Sequence, residues 1–229
     1  MRRPHQSGFR RFGRWLLYAA IGLVVVTIAV VGSLRWVDPP VTAFMLQQSG
    51  ADRRYVWTDR PGISDSAALA VVAAEDQRFL THHGVDLAAI DKALEDAEAS
   101  GRLRGASTLT QQLAKNLFLW PGRSFVRKGA EAALSVTLDA LLPKERIMEL
   151  YLNIVEFGPG LYGVEAASWR YFGKPASHLN DADAALLAAV LPNPRRLKAA
   201  APSPYVRERQ RWILGQMQRL RREGYAELL

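Results

Sequence analysis

The chain has 229 residues, 49% of them hydrophobic and 23% charged, with six Trp, so it can bury a core and is not a solvated disordered polymer. It has no Cys, which excludes a disulfide framework, a thiolate metal site and a thiol nucleophile. The net charge of +8 raises nucleic acid as a partner, but Arg2, Arg3, Arg10, Arg11 and Arg14 all precede the first acidic residue, Asp38, and without this leader the chain carries only about +3. The excess is a basic N-terminal leader, and no nucleic-acid partner is expected.

Residues 1–14 form that leader, and 15–36 read as a transmembrane helix, since no charged residue occurs between Arg14 and Arg35. Trp15, Tyr18 and Trp36 suit the two interfaces. The run is longer than the apolar region of a cleaved signal peptide, and Arg35-Trp36-Val37 is no small-residue cleavage site. A retained anchor is expected, with the leader cytoplasmic by the positive-inside rule and the rest of the chain on the far side. Asp38-Pro39-Pro40 stops the helix, and residues 37–50 form a connector whose apolar stretch Val41–Leu46 packs on the domain or lies along the bilayer surface.

The segment 51–229 reads as one domain. Tyr55-Val56-Trp57 is the one strand-like patch. Helices follow at 66–80, capped by Ser64; at 86–99, stopped by Gly101; from Thr108, whose spacing to Gln111 is that of a capping box, to Pro121-Gly122; and from Ser124 to Leu142. Further helices fit 144–153, 160–172, 181–191 and 203–223. There is no βαβ alternation, so the domain is expected to be mainly α.

Three groups of residues carry candidate chemistry. On a helix Glu75 neighbours Val71, Val72 and Phe79, and desolvation there raises a carboxylate's pKa toward the range of a general base. The bland alternative is a helix-end carboxylate paired with Arg78. Glu131 has the opposite setting, with Arg127 and Lys128 on its own helix face to keep it ionised. Contrasting carboxylates of this kind divide the work in enzymes of glycosidic chemistry, although salt-bridged helix faces are common. Between them, Ser107, Thr108, Thr110, Gln111 and Gln112 offer hydroxyl and amide groups to a sugar or phosphate. Lys115, Arg123, Arg127 and Lys128 form a basic cluster suited to a diphosphate, or simply a solvated basic face. His82-His83 point in different directions and read as structural; the chain has neither a Walker loop nor a Gly-x-Ser-x-Gly elbow.

These segments resemble the motifs of the peptidoglycan glycosyltransferases, in particular the monofunctional biosynthetic ones. The similar stretches are EDQRFLTHHG (75–84), GASTLTQQLAKN (105–116), RKGAE (127–131), KERIMELYLN (144–153) and EFGPGLYGVEAASWRYFGK (156–174). The resemblance implies a lysozyme-like, two-lobed helical fold with a membrane-proximal apolar jaw. The implied reaction polymerises lipid II into β-1,4 glycan with inversion at C1 of N-acetylmuramic acid and release of undecaprenyl diphosphate. It implies Glu75 as general base toward the acceptor 4-hydroxyl and Glu131 as the second catalytic glutamate. Lys115, Arg123, Arg127 and Lys128 would surround the diphosphate, with Ser107, Thr108, Gln111, Gln112 and Asn153 among the substrate contacts. No cofactor is implied; divalent-metal stimulation is left open. The implied partners are lipid II, the growing strand, the bacterial inner membrane and other wall-synthesis or division proteins. The chain ends without a Ser-x-x-Lys transpeptidase domain, so no cross-linking is expected. A glycan hydrolase is the first rival, but it would need no diphosphate cations; an inactive scaffold would need neither glutamate.

Overall fold

The computed structural model describes residues 6–47, 53–100, 107–122 and 124–225 and is mainly helical. The first helix, α1 (Gln6–Ser33), begins in the basic leader and not at Trp15. No proline lies between Pro4 and Pro39, so the helix favoured by the apolar run propagates backward into the arginines. Its 23-residue segment Arg11–Ser33 is long and apolar enough to cross a membrane. Leu16, Leu17, Leu23 and Val24 all lie open along it, an apolar surface that water does not favour.

The exit of α1 is clamped to the domain. Val31 and Leu34 are buried, and the Arg146 guanidinium donates to the backbone carbonyls of Leu34 (2.8 Å) and Val37 (3.2 Å) and pairs with Asp38 (2.7 Å). The guanidinium also stacks 5.3 Å from the centre of the Trp57 ring. The connector forms a single turn, α2 (Ala43–Leu46), capped by Thr42; Met45 is buried in the core while Leu46 faces outward. Val41–Leu46 therefore packs largely on the domain.

The strand content differs from expectation. A three-stranded sheet runs β1-β3-β2, with β1 (Arg54–Tyr55) parallel to β3 (Leu161–Tyr162), and β2 (Glu156–Gly158) antiparallel to β3. β1 is shorter than Tyr55–Trp57 and shifted by one residue. β2 and β3 occupy a stretch expected to be helix or connector, because strands of two or three residues leave no alternation to read. Gly163, at φ +84, turns the chain from β3 into the following helix; a Cβ there would lie 2.6 Å from the Asn153 carbonyl oxygen.

The helices are α3 (Asp65–Glu75), α4 (Leu87–Ser100), α5 (Leu109–Phe118), α6 (Phe125–Leu141), α7 (Lys144–Ile154), α8 (Val164–Phe172), α9 (Asp181–Val190) and α10 (Pro204–Arg222). The expected caps Ser64, Thr108 and Ser124 all accept backbone N–H groups, and Gln111 closes the capping box. α3 is buried from Ala67 to Ala73 and packs against α9 and α10; α5 packs against α6 and α7. Leu69, Leu109, Leu113, Leu138, Ile147 and Leu150 are fully buried, each contributing about 1.5–3 kcal/mol of apolar burial. This core packs together α3, α5 and α6, which carry Glu75, Lys115 and Glu131.

Candidate active site

α3 stops at Glu75, five residues before the expected end. Asp76 leaves the helical backbone conformation at φ −158°, and its carboxylate accepts from the Leu109 backbone N–H (2.9 Å) and meets His82 Nε2 (2.8 Å). Glu75 is thereby the last residue of a buried helix, at the negative end of the helix dipole. Phe79, expected one turn on, lies beyond the helix end and packs in the core, with the Lys144 ammonium 4.8 Å from its ring centre. Arg78 pairs with Asp86 (3.2 Å), not with Glu75.

The Glu75 side chain is only 14% exposed. One oxygen accepts from the Gln112 amide (3.0 Å) and the other from the Arg209 guanidinium (3.1 Å). Burial pushes its pKa above the ordinary carboxylate value, and the Gln112 hydrogen bond, the Arg209 charge and the Lys115 charge each oppose that rise. The result is a carboxylate strengthened as a base and held at two points. Gln112 is itself fixed, because its Oε1 accepts from the Tyr151 hydroxyl (3.0 Å). Tyr151 is fully buried, and burial, reinforced by the charges of Glu75 and Asp76, raises its pKa well above 10.0, so it keeps the proton it donates. The relay Tyr151, Gln112, Glu75 therefore runs in one direction.

The second carboxylate lies on α6. Glu131 is buried, with Arg127 Nη1 donating to one oxygen (2.9 Å) and the Lys128 ammonium to the other (2.5 Å). Lys128 also donates to the Ser107 hydroxyl (3.0 Å). Arg127 Nε is buried and, among the described residues, has no hydrogen-bond partner, so the cluster holds an unused donor. Lys115 reaches the same region from α5, and among the described residues its ammonium makes neither a hydrogen bond nor an ion pair. Burial lowers its pKa, an effect opposed first by Glu131 and also by Glu75, and reinforced by Arg127 and Lys128. Its ammonium thus senses both carboxylates, and Glu75 and Glu131 belong to one electrostatic site.

Three of the expected contacts, Thr108, Gln111 and Asn153, carry internal hydrogen bonds. Thr108 donates to the Gly84 carbonyl (2.6 Å) and accepts the Gln111 N–H, while the Gln111 amide accepts the Thr108 N–H (3.1 Å); both side chains are buried in the α5 cap. Gly84 must be glycine, since at φ +80 a Cβ would lie 2.5 Å from the Ser135 carbonyl oxygen. Asn153 is fully buried, and its amide joins Thr58 to α7 by donating to the carbonyls of Thr58 and Glu149 and accepting the Thr58 N–H, each at 2.9 Å. The three side chains are thus engaged in holding the backbone around them. Arg123 lies outside the described residues. A cleft of about 250 Å³, lined in part by Glu75, Asp76, Arg78 and Ser107, opens beside the Glu75 carboxylate.

Sequence reasoning missed Arg209, Tyr151 and Asp76 as partners. Asp76 adjoins Glu75 in the chain and was within reach of a closer reading. Arg209 sits in an arginine-rich helix, and no local signal separates it from Arg207 or Arg211.

The Transglycosylase family profile matches residues 42–218, most of the chain and the whole of the site. The chain belongs to the transglycosylase family. It is 51% identical to the biosynthetic peptidoglycan transglycosylase of Cronobacter sakazakii over 98% of this chain and 97% of that protein. It is 47% identical to the protein of the same name from Shewanella oneidensis, over 93% and 94% of the two chains. The Rhodospirillum centenum protein, also so named, is 50% identical over 90% of each. In this transglycosylase the Lys115 ammonium feels the charges of both Glu131 and Glu75.

Proposed function

We propose that this peptidoglycan glycosyltransferase polymerises lipid II with Glu75 as the general base and the Glu131 cluster as the diphosphate site. The acceptor's 4-hydroxyl gives its proton to Glu75 as its oxygen attacks C1 of the donor N-acetylmuramic acid. The C1–O bond to the diphosphate breaks and the undecaprenyl diphosphate leaves with the bonding electrons. Attack opposite the leaving group inverts C1 and yields a β-1,4 link.

The observation that carries this reading is the contrast between two carboxylate environments that Lys115 of α5 senses together. Glu75 is desolvated and doubly tethered, suited to taking a proton. Glu131 holds a cation cluster in which, among the described residues, Arg127 Nε has no partner, suited to the charge that grows on the departing diphosphate. Glu131 holds Arg127 and Lys128 in place and offsets their mutual repulsion before the lipid arrives. Ser107 and Gln112 border the sugar site in this reading, and Arg123, which lies outside the described residues, is read as a further diphosphate cation.

We read 1–14 as a cytoplasmic leader, 15–36 as the span, 37–50 as the connector and 51–229 as the catalytic domain on the far side of a bacterial inner membrane. The arginine-rich N-terminal end and the apolar surface of α1 support that orientation. The anchor keeps the domain beside a substrate that is itself in the bilayer. Incubating detergent-purified chain with labelled lipid II should give a muramidase-sensitive polymer and one polyprenyl diphosphate per disaccharide added. Disaccharide release without polymer would instead make the chain a hydrolase.

A further inference from the structure

A second cationic region lies away from both glutamates, on the face formed by the sheet, α8 and the loop after α9. One cavity of about 440 Å³ is lined by residues including Arg54, Gly160, Arg170, Tyr171, Arg195 and Lys198. A second, of about 630 Å³, shares Arg54 and Arg170 and adds Arg53, Tyr55, Val56 and Trp169. Together they make a continuous groove with five cations on its walls. Glu156, the carboxylate facing it from β2, pairs with Arg195 (3.4 Å) and accepts the Gly160 N–H (3.2 Å). Glu165 on α8 is occupied by the Trp169 ring N–H (2.7 Å) and the Ala176 N–H (2.8 Å). Among the described residues the side chains of Arg53, Arg54, Arg170 and Lys198 have no hydrogen-bond or ion-pair partner. The groove is therefore built for an anion, and nothing in the transfer reaction uses it.

Its position points to the anion's source. The Tyr55 hydroxyl donates to the Pro39 carbonyl (2.8 Å), which fixes β1 against the chain six residues beyond the end of α1. Six residues extend at most about 20 Å, so the groove lies within reach of the bilayer surface where the anchor emerges. Trp169 and Val56 are more than half exposed beside the cations, and a Trp next to arginines is the side-chain pairing that favours the headgroup layer. We propose that this groove seats the phosphate headgroups of anionic phospholipids in the leaflet from which the domain emerges. Lipid phosphates there, with the clamp of Arg146 on the α1 exit, would fix the tilt of the domain and the height of its cleft above the bilayer. The proposal rests on reading α1 as a membrane anchor.

The test uses the full chain in nanodiscs of phosphatidylcholine alone or in equal parts with phosphatidylglycerol. A headgroup-proximal spin label is carried by one lipid or the other, and the fluorescence quenching lost in Trp169→Phe isolates the signal of Trp169. The phosphatidylglycerol label should quench Trp169 several-fold more than the phosphatidylcholine label, since each cation near an anionic surface favours binding by about fivefold. Arg54→Gln/Arg170→Gln should abolish that preference while polymerising lipid II at the wild-type rate in phosphatidylcholine discs, which shows the variant folded. Equal quenching by the two labels in an inserted wild-type chain overturns the proposal alone. Loss of the preference on replacing chloride by phosphate at equal ionic strength identifies a free-phosphate site and overturns it too. A chain that fails to enter the discs overturns the anchor reading and the proposal together.

Discussion

Glu131→Gln keeps the shape of the side chain and removes its charge, leaving Arg127, Lys128 and Lys115 without the carboxylate that offsets them. Removing one partner of a fully buried pair costs about 3–5 kcal/mol, because the remaining charge stays desolvated. Arg127 meets that condition, with a side chain only 11% exposed, but Lys128 is 47% exposed and can turn to water. The expected loss is therefore about 2–3 kcal/mol, a fall in Tm of about 5–10 °C for a chain of this size. Thermal unfolding of the detergent-solubilised chain, followed by circular dichroism, reads it directly. Inorganic diphosphate should raise the Tm of the variant more than that of the wild type, since it would supply the missing negative charge. Adding Lys128→Gln should recover part of the loss. A Tm within a degree of wild type, or equal stabilisation of both proteins by diphosphate, would refute the idea that Glu131 holds the cations in place.

Other outcomes follow from the same geometry. Arg209→Gln removes a charge that lowers the Glu75 pKa, so the acidic limb of the pH dependence of kcat/KM should move to higher pH, with Arg209→Lys in between; an unmoved limb contradicts the pairing. Since the folded-state pKa of Glu75 is raised, its charge costs stability above the ordinary carboxylate range, and the cost fades as pH falls toward 4.5. Glu75→Gln should thus be no less stable than wild type at neutral pH by thermal unfolding, with any difference shrinking in acid; a marked loss at pH 7 would refute this. Tyr151→Phe leaves the Gln112 carbonyl buried without a donor, a stability loss of about 1–3 kcal/mol in denaturant titration, together with lower kcat. Lys115→Ala should raise KM for lipid II and lower kcat, and unchanged kinetics would remove Lys115 from the site.

Local signals in the sequence were read well where the physics is local. Ser64, Thr108 and Ser124 cap their helices as side chains two or three residues from the backbone groups they satisfy. Glu131 finds Arg127 and Lys128 because i, i+3 and i, i+4 spacing on one helix guarantees it. The setting of Glu75 was harder. Its burial was legible from the apolar residues of α3, but the helix end at Glu75 depends on Asp76 reaching Leu109, 33 residues away. Arg209 is 134 residues distant, and tertiary packing alone brings it to Glu75. Thr108, Gln111 and Asn153 have a structural duty that their motif positions do not announce. Polar side chains in a motif invite a ligand-binding reading, yet a buried backbone needs polar partners just as much, and these three satisfy it. The short strands β2 and β3 were invisible for want of length.

The most direct test of the account compares wild type and Glu75→Gln in binding and in turnover of labelled lipid II. The account predicts that the variant binds lipid II within a few-fold of wild type, because the cation cluster is untouched, while its turnover falls by about 10²–10⁴-fold. A variant that polymerises at the wild-type rate would contradict the assignment of Glu75 as the base.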